Sequence, residues 1–280
     1  MTVLEVLQAS TDYLRKRAIE NPRLNAEHLL AHVLQRKRID LYLEFDRMLS
    51  DEERAPLRDL VRRRGEGEPL QHLLGTVEFC GLVFGSDKRA LVPRPETEEL
   101  VELVIADSRL RRPGLRIADV GTGSGVIAVA LATTLPQATI YAVDVSADAL
   151  ALARENAHRA GVAGRIDFVQ SDLLASTSER FDIIVANLPY VSLSERATLS
   201  REVLRDPETA VFGGEDGHEL IQKLIAEAPA HLVTGGLLAL EIGLKQSGRI
   251  IGALEEKKFE DIQLKTDYSG TPRFVLARYG

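Results

Sequence analysis

Short apolar runs alternate with helical patterns from about residue 115 onward. Leu115–Val120, Thr139–Val143, Ile166–Gln170, Phe181–Ala186 and Leu237–Ile242 are rich in β-branched residues and bounded by turn formers, which predicts strands. Between most of them, Ser124–Thr134, Ala147–Ala160 and His218–Leu232 carry the helical period. This alternation is the sequence form of a doubly wound α/β sheet. Residues 1–70 read instead as helices. Thr2 with Glu5 has capping-box spacing ahead of Leu4, Leu7 and Leu14, and Asn25–Gln35 places Leu29, Leu30, Val33 and Leu34 on one face. Ser50 with Glu53 opens a third helix toward Arg64, in which Pro56 removes a backbone bond and is expected to kink the chain. Gly65-Glu66-Gly67-Glu68-Pro69 punctuates the change of style. Val77, Phe79, Leu82, Val83 and Phe84 around Gly81 then predict a β-hairpin, and a helix is expected over Glu98–Ser108. The expected organisation is a helical domain over 1–70, a hairpin connector over 71–92 and an α/β domain over 93–280.

Composition narrows this picture. A chain of 280 residues and 30.8 kDa is long enough for one or two domains with a sizeable core, and 45% apolar content excludes disorder. The longest apolar runs, such as Gly125–Leu135, fall well short of the roughly 20 residues that cross a bilayer. The N-terminus has no basic segment leading an apolar core and carries Glu5 and Asp12, so a soluble cytoplasmic protein without a membrane anchor is expected. The single cysteine, Cys80, has no intramolecular partner and reads as a small buried hydrophobe. A net charge of -7 argues against a stable complex with a phosphate backbone. Arg62-Arg63-Arg64 reads as a solvated helix end, with contact to a substrate as the alternative. The carboxylates from Glu96 to Asp107, Glu98 and Glu99 among them, read as a solvated helix face. His28 and His32 have i, i+4 spacing but lack the glutamate of a metalloprotease pair, and no metal is expected.

Two motifs carry candidate chemistry. In Asp119-Val120-Gly121-Thr122-Gly123-Ser124-Gly125 the glycines follow a strand and precede a helix, which lets backbone pass close to a ligand and aims helix N–H groups at it. The pattern is G-x-G-x-G, with Val126 where dinucleotide enzymes place the third glycine. Asp144 ends the next strand, where a carboxylate accepts both ribose hydroxyl protons. After the following strand, Asp172 is placed to accept from an adenine amino group and Leu173 to pack on the ring. The second motif, Asn187-Leu188-Pro189-Tyr190, follows a buried strand. An amide nitrogen is a poor nucleophile because its lone pair is delocalised. Two acceptors aimed at its N–H groups, the Asn187 side-chain oxygen and the Leu188 carbonyl, would orient it and stabilise the charge it gains on attack. Tyr190 would offer a π-face, and Pro189 stiffens the turn. Cradle and clamp together imply a methyltransferase that uses S-adenosyl-L-methionine to alkylate an amide or amine nitrogen.

These residues, with Gly67-Glu68-Pro69-Leu70-Gln71-His72, Gly75–Phe79, Leu91–Glu98, Ser171-Asp172 and Tyr268-Ser269-Gly270-Thr271-Pro272-Arg273, resemble the HemK/PrmC family over essentially the whole chain. Members of that family methylate the glutamine of the Gly-Gly-Gln motif in class I peptide chain release factors, a step of translation termination. The resemblance implies a Rossmann-like class I methyltransferase sheet of seven strands, a small helical N-terminal domain that engages the release factor, and a β-hairpin link. It implies that Gly121, Thr122, Gly123, Ser124, Gly125, Asp144, Asp172, Leu173 and Asn187 hold S-adenosyl-L-methionine and its product S-adenosyl-L-homocysteine. It further implies that Glu96 and Thr97 line the site and that Asn187, Leu188, Pro189 and Tyr190 hold the glutamine. A monomer is expected. Two positions depart from the family pattern: the tetrapeptide is usually Asn-Pro-Pro-Tyr, and the position of Leu173 is often aromatic. Because the acceptor at 188 is a backbone carbonyl, leucine is expected to alter rigidity and leave the chemistry intact. Asn-Leu-Pro-Tyr also resembles the motif of ribosomal RNA adenine N-methyltransferases, against which stand the acidic charge, the helical N-terminus and the Pro93–Glu98 segment. A non-catalytic binding module would have no reason to keep both motifs.

Overall fold

The computed structural model describes residues 1–107 and 112–280, in two compact units. The first comprises Met1–Thr76 together with Ser200–Arg205. Its helices are α1 (Val3–Lys16), α2 (Pro22–Leu34), α3 (Asp51–Gly65) and α4 (Leu70–Leu74), packed around Leu7, Leu14, Leu29, Leu30, Leu41 and Leu57. Both expected capping boxes form. The Glu5 N–H donates to Thr2 Oγ1 at 3.2 Å and the Thr2 N–H to Glu5 Oε2 at 2.8 Å, and Ser50 and Glu53 repeat the exchange at 3.3 and 2.9 Å. α3 runs through Pro56. The interior proline costs about 3 kcal/mol, which burial of Leu57 and Val61 at about 1.5–3 kcal/mol each offsets.

The reading of Arg62–Arg64 as a solvated end requires correction at its last residue. Arg62 lies on the surface with Asp59 and Glu66, but Arg64 is 4% exposed. Its guanidinium donates to Asn25 Oδ1 (2.7 Å), the Glu68 carbonyl (2.9 Å) and Glu202 Oε2 (2.7 Å). Partners 39 and 138 residues away leave no trace in the local pattern.

The second unit comprises Val77–Leu199 and Asp206–Gly280. It is entered through the hairpin β1 (Thr76–Phe79) and β2 (Leu82–Gly85), which is shorter than the expected connector because residues 70–74 are helical and residues 86–92 are not strand. Cys80 (φ 48°) and Gly81 (φ 73°) make the two-residue turn, both in the left-handed conformation that suits hairpin twist. Cys80 is therefore only half-buried, not the core residue expected, and burial followed by Glu98 and Glu102 pushes its thiol up to about 11.

α5 (Pro95–Ala106) starts earlier than expected, with Pro95 in its first turn, and the predicted end at Ser108 lies outside the described residues. Its acidic face is not simply solvated. Glu99 accepts from the Tyr268 N–H at 2.9 Å and Glu102 from the Tyr268 hydroxyl at 2.6 Å, which fastens the loop near the C-terminus.

The alternation then proceeds as β3 (Arg116–Val120), α6 (Val126–Thr134), β4 (Thr139–Asp144), α7 (Ala147–Arg159), β5 (Ile166–Gln170) and β6 (Phe181–Ala186). After the short pieces β7 (Val191–Ser192), α8 (Glu208–Val211) and β8 (Phe212–Gly214) come α9 (Glu219–His231) and β9 (Leu232–Glu241). The chain closes with α10 (Ser247–Glu256), β10 (Phe259–Thr266) and β11 (Pro272–Tyr279). Seven strands form one sheet in the order β10-β11-β9-β6-β3-β4-β5, parallel from β9 to β5 and antiparallel at β11 and β10. The α/β sheet of seven strands is thus present, although α10, β10 and β11 were not located from their pattern. Successive residues serve opposite faces. Ile117, Ile183, Val185 and Ala239 join the cluster under α5 and α6, whereas Ala118, Ile184, Ala186 and Leu240 join the one under α9 and α10. The chain runs outward from β3 to β5 and returns to β6, so β3 and β6 flank the switch point where open α/β sheets bind ligands.

Candidate active site

Both motifs emerge at that switch point. Val120 pairs with Ala186, which brings Gly121 beside Asn187. The N–H groups of Gly121 and Thr122 both donate to the Val143 carbonyl, at 2.8 and 2.9 Å, and fold the glycine loop over the end of β4. Beneath it Asp119 is fully buried. Its Oδ2 accepts from Thr122 Oγ1 at 2.6 Å and from the Ala128 N–H at 3.0 Å, tying the loop to the first turn of α6. Burial pushes the Asp119 carboxyl up to about 7 against the pull of those two bonds.

The loop glycines differ in purpose. A Cβ on Gly123 (φ 55°) would meet only Ala90 and the Gly121 carbonyl, each at an ordinary contact distance of 4.0 Å, and Gly123 lines the cleft. A Cβ on Gly125 (φ 81°) would lie 2.9 Å from the Ala153 Cβ. Gly125 is therefore where α6 meets α7, and it does not line the cleft. Gly125→Ala combines left-handed strain with overpacking and is expected to lower unfolding free energy by roughly 2–4 kcal/mol. Denaturant unfolding checks this, and a change under about 0.5 kcal/mol would contradict the packing role.

Asp144 stands at the end of β4. Its Oδ2 accepts from the Gly123 N–H at 2.8 Å and its Oδ1 from the Ser146 N–H at 2.9 Å, so each oxygen is aimed by one backbone bond and keeps capacity for another. Burial raises its pKa, and the N–H groups of Ser146, Gly123 and Val145 oppose that. Leu173, buried at φ 48°, lines the cleft beside Asp172, whose carboxylate is exposed and paired with Lys223 at 2.5 Å.

In the clamp, Leu188 is buried and its Cδ2 covers Gly121, where an added Cβ would come within 2.8 Å of it. The Asn187 Nδ2 donates to Thr97 Oγ1 at 2.9 Å, and the Thr97 hydroxyl donates to Glu241 Oε2 at 2.8 Å. The Tyr190 hydroxyl stands 3.5 Å from Glu241 Oε1. Glu241 is 1% exposed, and burial pushes its carboxyl up to about 7. Burial, then the charge of Glu241, raises the Tyr190 phenol to about 12.

One cleft of about 1040 Å³, open mouth included, collects Thr97, Gly121, Thr122, Gly123, Ser124, Asp144, Asp172, Leu173, Asn187, Leu188 and Pro189. Glu96 and Tyr190, like Gly125, are not among its lining residues; Tyr190 lies behind it against Glu241. Three contributors escaped sequence reasoning. Arg94 lines the cleft, Glu241 supports the clamp, and Asn156 binds both Gly85 and the Ser124 carbonyl (2.9 Å), anchoring the glycine loop to the hairpin. The available signals were a lone carboxylate inside the apolar run Leu237–Ile242 and, for Arg94, its place in the segment Leu91–Glu98. Among the described residues no cluster of His, Cys, Asp and Glu could hold a metal, and no helix is long and apolar enough to cross a membrane.

The sheet order and the glycine loop at its switch point are those of the methyltransferase fold, and the family model of the methyltransferase small domain matches residues 101–266. The chain is a methyltransferase. It is similar in fold to a methyltransferase from Pyrococcus furiosus (TM-score 0.55, 21% identity, covering 71% of this chain and 90% of that one). It is also similar to a ribosomal protein L11 methylase from Lactobacillus delbrueckii (TM-score 0.51, 28% identity, covering 67% and 81%).

A second family model, the PrmC N-terminal domain, matches residues 5–75. Release factor glutamine methyltransferases of Deinococcus radiodurans and Rhodopirellula baltica are 39% and 40% identical to it, over 99% and 98% of this chain and 99% and 95% of theirs. The chain belongs to the family of release factor glutamine methyltransferases.

Proposed function

We propose that this enzyme transfers a methyl group from S-adenosyl-L-methionine to the side-chain amide nitrogen of the glutamine in the Gly-Gly-Gln motif of class I release factors. Full-length similarity to curated relatives of that name supports the substrate, and the cleft supports the donor. The observation that carries the chemistry is the placement of Asn187 beside Gly121, acceptor beside cradle. The residues fit such a donor: Gly123 lines the cleft without a side chain, Asp144 offers two aimed oxygens with capacity to spare, and Leu173 presents an apolar wall. Bound there, the donor supplies an electrophilic methyl group on a sulfonium centre.

The protein's own part is positioning and electrostatics. Asn187 Oδ1 and the Leu188 carbonyl accept the two N–H bonds of the substrate amide, hold its plane, and stabilise the positive charge that grows on nitrogen as its bond to carbon forms. The N-methylated amide is then strongly acidic and gives its proton to water. No general base is required, and the function is cytoplasmic, where translation factors are found. The N-terminal helical unit, in this reading, helps engage the release factor.

Incubation with donor labelled in the methyl group and either a release factor or ribosomal RNA tests the assignment. Label is expected on the release factor and lost when the Gly-Gly-Gln glutamine is replaced by alanine. Label on the RNA, or label that survives that replacement, overturns it.

A further inference from the structure

We propose that Glu241, acting through the Thr97 hydroxyl, fixes which end of the Asn187 amide faces the cleft, and so serves as a positioning residue for the clamp. The inference rests on the reading of Asn187 as the acceptor for the substrate N–H. An asparagine amide has two nearly isosteric ends, of which only the oxygen accepts. Which end faces outward is decided by what the other end meets inside. Asn187 meets a buried hydroxyl, Thr97 being 3% exposed, with one proton to give. A carboxylate accepts and cannot donate, so the Thr97 proton goes to Glu241 Oε2 at 2.8 Å and Oγ1 is left as an acceptor. The Asn187 Nδ2 fills that acceptor at 2.9 Å, and Oδ1 is directed away from Thr97. The reversed amide would set two lone pairs against each other with no proton between them.

The second oxygen of the same carboxylate, Oε1, is the one near the Tyr190 hydroxyl. One buried group thus addresses both ends of the tetrapeptide. It is faced by Thr97 and Glu96 from α5, by Tyr190 after β6 and by Arg273 from β11. Of these Arg273 favours its charged form and Glu96 opposes it. Protonated Glu241 has a proton to donate to Thr97, which releases the Thr97 proton toward Asn187 and permits the reversed amide. Ionised Glu241 forbids it. The clamp is therefore set above the titration of Glu241 and relaxed below it, which predicts an acid limb in kcat near pH 7.

The test combines a structural and a kinetic readout on the full chain. With asparagine side chains labelled with nitrogen-15, and the Asn187 signals identified by their loss in Asn187→Asp, amide proton exchange at Asn187 is expected to be slowed in the wild type. It should speed up at least about tenfold in Thr97→Val, which keeps the shape and removes the hydroxyl, and stay slow in Thr97→Ser. In turnover, Thr97→Val is expected to lose about 10–100-fold in kcat with the KM for donor within about twofold, and Thr97→Ser to recover most of it. Glu241→Gln should flatten the acid limb. Equal exchange rates in wild type and Thr97→Val, or full kcat in Thr97→Val, overturn the relay. Slowed exchange in a wild type that does not methylate the glutamine upholds the amide lock and overturns the substrate assignment instead.

Discussion

Replacing Asn187 by alanine is expected to lower turnover by about 10²–10³, the usual cost of one preorganised group that stabilises charge developing in the transition state. The loss should fall on kcat. In the proposed clamp Asn187 contributes one of two acceptors, and the other, at Leu188, is a backbone carbonyl that no substitution removes, so residual activity above background is expected. The protein should remain folded, because among the described residues the Asn187 side chain bonds Thr97, which retains Glu241. Methylation of a release factor at saturating donor and substrate measures the effect, and a variant within threefold of wild type would remove the clamp mechanism.

Asp144→Ala should act on the other substrate. Each of its oxygens is aimed by a backbone N–H, and a hydrogen bond to a charged group contributes about 1.5–3 kcal/mol. Two such bonds to a ribose, lost together and partly replaced by water, correspond to a dissociation constant for S-adenosyl-L-methionine raised by about 10²-fold or more. Turnover at saturating donor should change by less than about tenfold, since in the proposed binding mode the carboxylate holds the ribose and not the group that reacts. Freeing the Gly123 N–H adds loop disorder to the same side of the balance. Titration calorimetry separates the two quantities, and an unchanged donor affinity would place the ribose elsewhere.

The strands that carry the site were the most legible part of the sequence. Phe181–Ala186 is buried at all six positions, and a strand covered on both faces shows itself as a continuous apolar run. β10 hid for the opposite reason. As the edge strand it buries only Phe259 and exposes Glu260, Asp261 and Lys265, so its pattern resembles a loop. At the site, the glycines, Asp144 and Asn187 were legible because each occupies a strand end in a short motif. Glu241 was not, because its meaning comes from Thr97, 144 residues away, and in the sequence it is a single polar residue in an apolar strand. Gly125 reads in the sequence as part of the cradle, whereas the structure sets it against α7 and outside the cleft lining. Its place at the start of a helix was legible, but the left-handed φ and the α7 residue that forbids a side chain there were not.

Arg64 carries a consequence for any attempt to dissect the chain. Its carboxylate partner, Glu202, comes from Ser200–Arg205, whose neighbours on either side belong to the α/β unit. The N-terminal unit is thus assembled from two stretches of polypeptide. A fragment ending at Thr76 would be a module with a missing piece, holding a guanidinium out of water with its countercharge gone. Grafting this unit onto a relative means transplanting the six residues at 200–205 with it, and an interchange made at the hairpin alone would part an arginine from the glutamate that neutralises it.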